Sequence, residues 1–363
     1  MNVLYDSQIF QGQRYGGVSR YFHELISHAV RSQTLDVSLF LGLSQNGYGT
    51  ESLAPHCKHF FGVAHPELRK LVRFARVLNP IMLKTFAWQA KPDLFHPTYY
   101  FPYLGRSRVP RVLTVHDMIH ERFPNMFYSR DQTSRLKALA VSRAQQIIAV
   151  SHSTKRDLVD LFQVPPERVS VVHLGGPTVL RSPPKPQGLD DFILYVGVRA
   201  SYRNFALLAT AFALAKESRD TLLVCYGGGP FRRSESELFH KLKIEHRVVH
   251  RAGPDDDLAC YYAHAIALVF PSLYEGFGIP PLEAMAYGCP VVVSRTSSVP
   301  EVVGAAGLYF DPSSVEECCA QLQRVLSDNQ LRADLSAKGL LQSRKFSWQR
   351  CFDETLAVYT AVV

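Results

Sequence analysis

The chain reads as two Rossmann-like α/β domains facing each other across a cleft, and three observations predict it. Short runs rich in β-branched and aromatic residues alternate with amphipathic stretches along most of the 363 residues, as a parallel sheet with crossover helices requires. A stretch near the middle, "GGPTVLRSPPKPQGLDD", breaks that alternation with four prolines and opposes regular structure. The alternation then resumes from Phe192, so each half has strands and a core of its own. The expected domains are 1–178 and 179–345, followed by the tail 346–363.

In the first half, "NVLYD", "DVSLFLG", "DLFHPT", "RVLTVHD", "QIIAVS" and "VSVVHLG" are the expected strands. In the second half they are "FILYVG", "TLLVCYG", "RVVHRAG", "ALVFPS" and "PVVVS". The tail "FSWQRCFDETLAVYTAVV" has the spacing of an amphipathic helix with Ser347 as its N-cap.

The formal charge of +8 favours an anionic partner without naming it. Zinc-finger spacing and RNP-like aromatic motifs are missing, so nucleic acid is not the expected partner. Seven cysteines form an odd set without a CxxC pair, which fits a reducing cytoplasm. "MNVLYDSQIF" lacks a basic start followed by an apolar core, and no run reaches the ~18–20 apolar residues of a membrane span. A cytoplasmic protein is expected. Between His65 and Asp93 six Lys or Arg stand against two acids, which reads as a basic amphipathic helix broken at Pro80. It is either an ordinary solvated face or, over 69–84 with Leu71, Val72 and Phe74 as apolar contacts, a peripheral attachment to an anionic membrane surface.

The chemistry concentrates in "VFPSLYEGFGIPPLEAMAYGCPVVVS". "ALVFPS" reads as a strand, "LYEGFG" as the loop beyond its C-terminal end, and "PPLEAMAY" as a short helix with proline in its first turn. Backbone N–H groups of Phe277, Gly278 and Ile279 are then expected at a positive helix end that suits a phosphate. Glu275 in the loop and Glu283 in the first turn are poor phosphate ligands but good acceptors for sugar hydroxyls. Phosphate in the middle with a hydroxylated ring on either side describes a nucleoside diphosphate sugar.

Glu275 and Glu283, eight positions apart within "EGFGIPPLEAMA", resemble the E-x7-E motif of the retaining GT-B glycosyltransferases of family 4. The resemblance covers nearly the whole chain: "QRYGGVSRYF" is similar to the family's N-terminal glycine loop, "TVHDMIHERFP" to its histidine segment, "YVGVRASYRNF" to its basic phosphate-binding segment, and the "FSW" tail to its final helix, which would rejoin the first domain. It implies that Glu275 touches the transferred sugar and Glu283 the ribose. Gly16 and Gly17 could bring their amides to the diphosphate, and Arg199 and Arg203 could neutralise it as it leaves. The family more often has lysine where Arg203 stands. His116 ends a strand and could hydrogen-bond a sugar hydroxyl or a backbone carbonyl. Arg251 is the one residue suggested for the base pocket.

The run Asp255–Asp257 reads as acids at a helix start rather than a metal pair, and no metal or other cofactor is expected. The wording most resembles hexosyltransferases of bacterial surface polysaccharides, with mannose and a GDP sugar favoured over a UDP sugar, and a glycan or polyprenyl-linked glycan as acceptor. A GT-B sugar-nucleotide epimerase and a non-catalytic sugar-nucleotide-binding protein are the other readings.

Overall fold

The structure is a computed structural model and describes residues 1–45, 47–64, 72–105, 108–128, 130–179, 183–199, 201–218 and 220–363. The chain divides into two compact units, Met1–Gly175 with Trp348–Val363, and Gly176–Ser347.

In the first unit β1 (Asn2–Tyr5), β2 (Asp36–Ser44), β3 (His59–Ala64) and β4 (Leu94–His96) form a parallel sheet in the order β3-β2-β1-β4. β5 (Val112–Val115), β6 (Gln146–Ala149) and β7 (Val169–Val171) form a second parallel set. A parallel bridge from Phe95 to Arg111 aligns the two sets. β1, β4 and β5 are buried throughout, which is why they read as continuous apolar runs without alternation.

The tail is part of this unit. The helix Trp348–Thr360 buries Trp348, Cys351, Phe352, Val358 and Tyr359. Its Tyr359 hydroxyl lies 2.5 Å from His96 Nδ1 and 3.0 Å from the Tyr5 hydroxyl, while His96 Nε2 meets Thr114 Oγ1 at 2.9 Å. Burial holds the His96 imidazole down at about 3, so it is a neutral, satisfied core residue at neutral pH.

The helix Val72–Ala90 corrects the expected break at Pro80, because it runs through that proline. Losing one ladder bond costs about 3 kcal/mol, which docking offsets. Asn79 is fully buried and bonds the backbone N–H and C=O of Leu43 at 3.0 and 3.2 Å, and Leu83 packs with Leu4, Phe40 and Phe95. Arg69, Lys70 and Leu71 of the basic segment lie outside the described residues.

In the second unit β8 (Phe192–Val196), β9 (Leu222–Tyr226), β10 (Val248–Arg251), β11 (Ala267–Phe270), β12 (Val291–Ser294) and β13 (Gly307–Phe310) form one parallel sheet in the order β10-β9-β8-β11-β12-β13. Counted within the unit this is 3-2-1-4-5-6, the doubly wound order whose switch point falls between β8 and β11. Among the described residues no helix is long and apolar enough to cross a membrane, and all seven cysteines are free.

Candidate active site

Ligands of doubly wound sheets bind beyond the C-terminal strand ends at the switch point, and there the second unit places Arg203 and Glu275. Arg203 closes the turn Ser201–Arg203 after β8, and Glu275 lies in the loop after β11. A backbone bond from Leu273 N–H to Tyr202 O (2.8 Å) ties the two segments together. Arg203 Nη1 stands 2.7 Å from Glu275 Oε1, and both side chains are largely buried. The guanidinium packs against the rings of Tyr202 and Phe270 at 5.3 and 5.6 Å, and its Nε has no hydrogen-bond partner among the described residues. A buried fork with an unused donor beside an acid suits an arriving anion.

Two serines position the loop that carries Glu275. Ser297 Oγ accepts from the Glu275 N–H at 2.8 Å, and Ser298 Oγ lies within donating distance of the carbonyls of Glu275 (2.9 Å) and Phe277 (2.8 Å). Phe277 is buried edge-on to Phe346. Gly278 is the N-cap of the helix Ile279–Ala286 at φ +110, with open space where a Cβ would stand. Only glycine adopts that backbone without strain, and the open space leaves the helix end approachable.

Glu283 departs from expectation, because no acid stands in the first turn of that helix. It sits one turn further along, is buried, and accepts from the Tyr262 hydroxyl at 2.9 Å. Its orientation therefore comes from a side chain of the helix Asp255–His264. Tyr262 is itself fully buried and stacked on Tyr287. A tyrosine in an amphipathic run reads as core, so nothing in the sequence pointed to it. The acids 255–257 do open their helix, with Pro254 at the N-cap.

Arg199 needs a correction. Its Nε donates to Glu235 Oε1 (2.8 Å), Nη1 to Gly227 O (3.1 Å), and Nη2 to Gly229 O (2.7 Å) and Pro230 O (3.1 Å). Gly227, Gly228 and Gly229 all have positive φ, and a Cβ on Gly228 would stand 2.6 Å from Gly197 O. The turn aims carbonyls at the guanidinium, so Arg199 clamps the loop after β9. Arg251 ends β10; its Nη1 donates to His250 O (3.0 Å) and its own carbonyl accepts from the Gly227 N–H (2.8 Å).

Three expected residues lie in the first unit. His116 follows β5, its N–H is 3.4 Å from the Tyr100 hydroxyl, and its ring lies edge-on to Tyr21 and Phe22. Burial pushes the imidazole down to about 4, Asp117 opposing and Lys137 adding to the shift, so it is neutral at pH 7. Its Nε2 is buried without a partner among the described residues. Gly16 and Gly17 begin the helix Gly17–Ser32, but the Gly16 N–H is already 3.2 Å from the Tyr48 hydroxyl. That amide is not free for a diphosphate.

Lys137 escaped sequence reasoning. It is fully buried, donates to Asp117 O and Glu121 Oε2 (both 2.8 Å), and its Nζ lies 5.5 Å from the Tyr100 ring. It thus ties the segment after His116 to the helix Thr133–Arg143.

A doubly wound unit with a buried arginine–glutamate pair at its switch point and an open helix end beside it has the fold and polar equipment of a GT-B glycosyltransferase. Comparison with known proteins agrees: Glycosyltransferase Family 4 matches residues 15–178 and Glycosyl transferases group 1 matches residues 180–341. The O-antigen chain mannosyltransferase B of Escherichia coli is 30% identical over 377 residues, spanning 94% of this chain and 95% of that protein. The MMP alpha-(1->4)-mannosyltransferase of Mycolicibacterium hassiacum is 32% identical over 223 residues, 60% of this chain and 54% of that protein. Among solved structures, the sucrose-phosphate synthase of Thermosynechococcus elongatus superposes with TM-score 0.77 at 18% identity, covering 99% of this chain and 98% of that one. WaaG, a glycosyltransferase involved in lipopolysaccharide biosynthesis, does so with TM-score 0.69 at 18% identity, covering 99% of each. The chain belongs to the family 4 glycosyltransferases.

Proposed function

We propose that this glycosyltransferase moves a hexose, mannose in preference, from a nucleoside diphosphate sugar to a glycan or polyprenyl-linked glycan, with retention at the anomeric carbon, in the synthesis of a bacterial surface polysaccharide. The observation that carries the reading is the Arg203–Glu275 pair at the switch point. The mannosyltransferases among the relatives support mannose, and a GDP sugar is proposed over a UDP sugar as its donor. Arg203 and the amides around Gly278 take up the charge of the departing diphosphate. Glu275 accepts from a hydroxyl of the transferred sugar and Glu283 from the ribose. His116, neutral and with Nε2 unpartnered, offers that nitrogen to a sugar hydroxyl. The acceptor oxygen attacks on the face from which the diphosphate leaves, and its proton passes with it. The reading needs no metal or other cofactor, because it gives that work to the fixed cation of Arg203 and a helix end. It puts the protein in the cytoplasm, peripheral at the inner face of the membrane.

A thermal-shift panel tests the donor. A nucleotide at a hundred times its Kd stabilises by about 2.7 kcal/mol, so GDP is expected to raise Tm where UDP does not; a UDP response alone overturns the donor choice. Transfer from GDP-mannose, with the product's anomeric configuration read by NMR, tests the reaction and its retention.

The two glutamates separate in the same panel. Glu283→Ala is expected to weaken nucleoside diphosphate binding, and Glu275→Ala to spare it while damaging transfer. Tyr262→Phe removes one buried hydrogen bond to Glu283, worth about 1.5–3 kcal/mol to a charged acceptor, and is expected to weaken nucleotide binding as well. In the Glu283→Ala background it should add nothing; a further loss there would show that Tyr262 acts otherwise.

A further inference from the structure

The first unit holds a buried polar network that the proposed reaction does not use. Asp6 and Gln8 follow β1, and the segment 98–103 follows β4, the neighbouring parallel strand. Asp6 is fully buried. Its Oδ1 accepts from the Thr98 N–H (3.0 Å), the Thr98 hydroxyl (2.7 Å) and the Gln8 N–H (3.3 Å), and its Oδ2 accepts from Gln8 Nε2 (2.6 Å). Burial raises the carboxyl and these bonds oppose the rise. Gln8, also buried, grips one residue by both of its backbone groups: Nε2 donates to Phe101 O (3.1 Å), and Oε1 accepts from the Phe101 N–H (2.8 Å).

What this network fixes is an exposed aromatic residue. Phe101 is 40% exposed, with its ring 6.2 Å from that of Tyr103. An exposed side chain adds little to folding, yet the backbone beneath it is bonded on both sides as a strand residue's would be. A ring on so fixed a support loses little freedom on binding, and it stands at the C-terminal end of a parallel sheet, where such sheets bind their ligands. The same segment brings polar groups. The Tyr100 hydroxyl lies 3.4 Å from the His116 N–H. Tyr99 has its hydroxyl pushed up to about 12, by burial first and then by the carboxylates of Asp117, Asp131 and Glu121. An apolar ring with carboxylates near its segment matches a pyranose, whose C–H groups are attracted to the negative face of the ring and whose hydroxyls donate to acceptors. A hydrocarbon chain would desolvate those carboxylates and return no hydrogen bond.

We propose that Phe101 is the platform on which a pyranose ring of the acceptor glycan lies, and that Gln8, itself held by Asp6, is the positioning residue that sets it. This rests on the reading of the chain as transferring a hexose to a glycan, and deepens it by giving the acceptor a named contact in the first unit. The bond between Tyr100 and the His116 backbone joins the platform to the segment whose imidazole is assigned to a sugar hydroxyl.

The probes are a mannose disaccharide and the methyl glycosides of mannose, glucose and N-acetylglucosamine, titrated by saturation-transfer difference NMR with and without GDP. At least one is expected to bind, with transfer strongest to the C–H protons of one ring face. Phe101→Ala should weaken that binding about tenfold, and Phe101→Tyr should retain it, neither lowering Tm appreciably. Gln8→Met should weaken it as well and add nothing in the Phe101→Ala background; a further loss there would leave Gln8 a structural residue and overturn its role. GDP binding, followed on the same samples, should not change in any variant. Absence of GDP binding in the wild type would overturn the functional reading, and the sugar titration would still decide the platform. Failure of every probe to bind the wild type overturns the proposal, as does undiminished binding in Phe101→Ala. Full binding in Phe101→Leu would reduce the contact to apolar area, which is all that a polyprenyl chain needs, and overturns it equally.

Discussion

Replacing Arg203 with alanine is expected to lower kcat by about 10²–10³-fold, the usual cost of losing one preorganised charge contact to a leaving group. The argument runs from position to chemistry. Arg203 stands at the switch point, packed against Tyr202 and Phe270, with a donor unused and Glu275 2.7 Å away. Negative charge on a diphosphate grows as the sugar bond breaks, so a fixed cation there stabilises the transition state more than the bound donor. The loss should appear in kcat and kcat/KM together, whereas unchanged kcat with raised KM would reduce Arg203 to a binding residue. The alanine variant also strips Glu275 of its partner, so its Tm must be measured alongside. Arg203→Lys keeps the charge without the fork and should retain intermediate activity. If lysine restores Tm but no activity, the planar fork is required; if it restores neither, the residue's weight is structural.

The strands easiest to read are those walled on both faces, such as "FILYV" and "VLTV", where burial makes the apolar run continuous. β3 and β13 went unread, and both lie at sheet edges. β3 opens with a histidine and carries Gly62, β13 opens with Gly307 after "GAA", and each resembles turn sequence more than strand. The motif Glu275–Glu283 was visible because its residues are neighbours in the chain. The partners that orient it were not. Arg203 meets Glu275, and Tyr262 meets Glu283, only through the sheet order and the packing of one helix on another. Arg199 shows the converse error, since standing just beyond a strand at the ligand end suggested a phosphate contact. A turn of three consecutive left-handed glycines nearby aims the carbonyls of Gly227, Gly229 and Pro230 at Arg199, and these with Glu235 claim its donors. Sequence position fixes which end of a sheet a side chain occupies, but competition among acceptors decides where it points.

Lys137→Met is expected to destabilise the first unit by about 3–5 kcal/mol, the usual cost of removing one partner from a buried ion pair. For a unit of this size that lowers its Tm by roughly 6–20 °C. Lys137 is 1% exposed, Glu121 is 5% exposed, and they meet at 2.8 Å. The other oxygen of Glu121 has no partner among the described residues, so without the ammonium the carboxylate is left buried and uncompensated. Lys137→Met/Glu121→Gln removes both charges and is expected to recover most of the loss. The activity of that double variant then isolates the functional part, because Lys137 also holds the Asp117 carbonyl directly after His116. If the ammonium positions the His116 segment, the refolded double variant should keep its GDP affinity and lose turnover. A double variant with full turnover would confine Lys137 to stability, and a single variant with unchanged Tm would refute the buried pair itself.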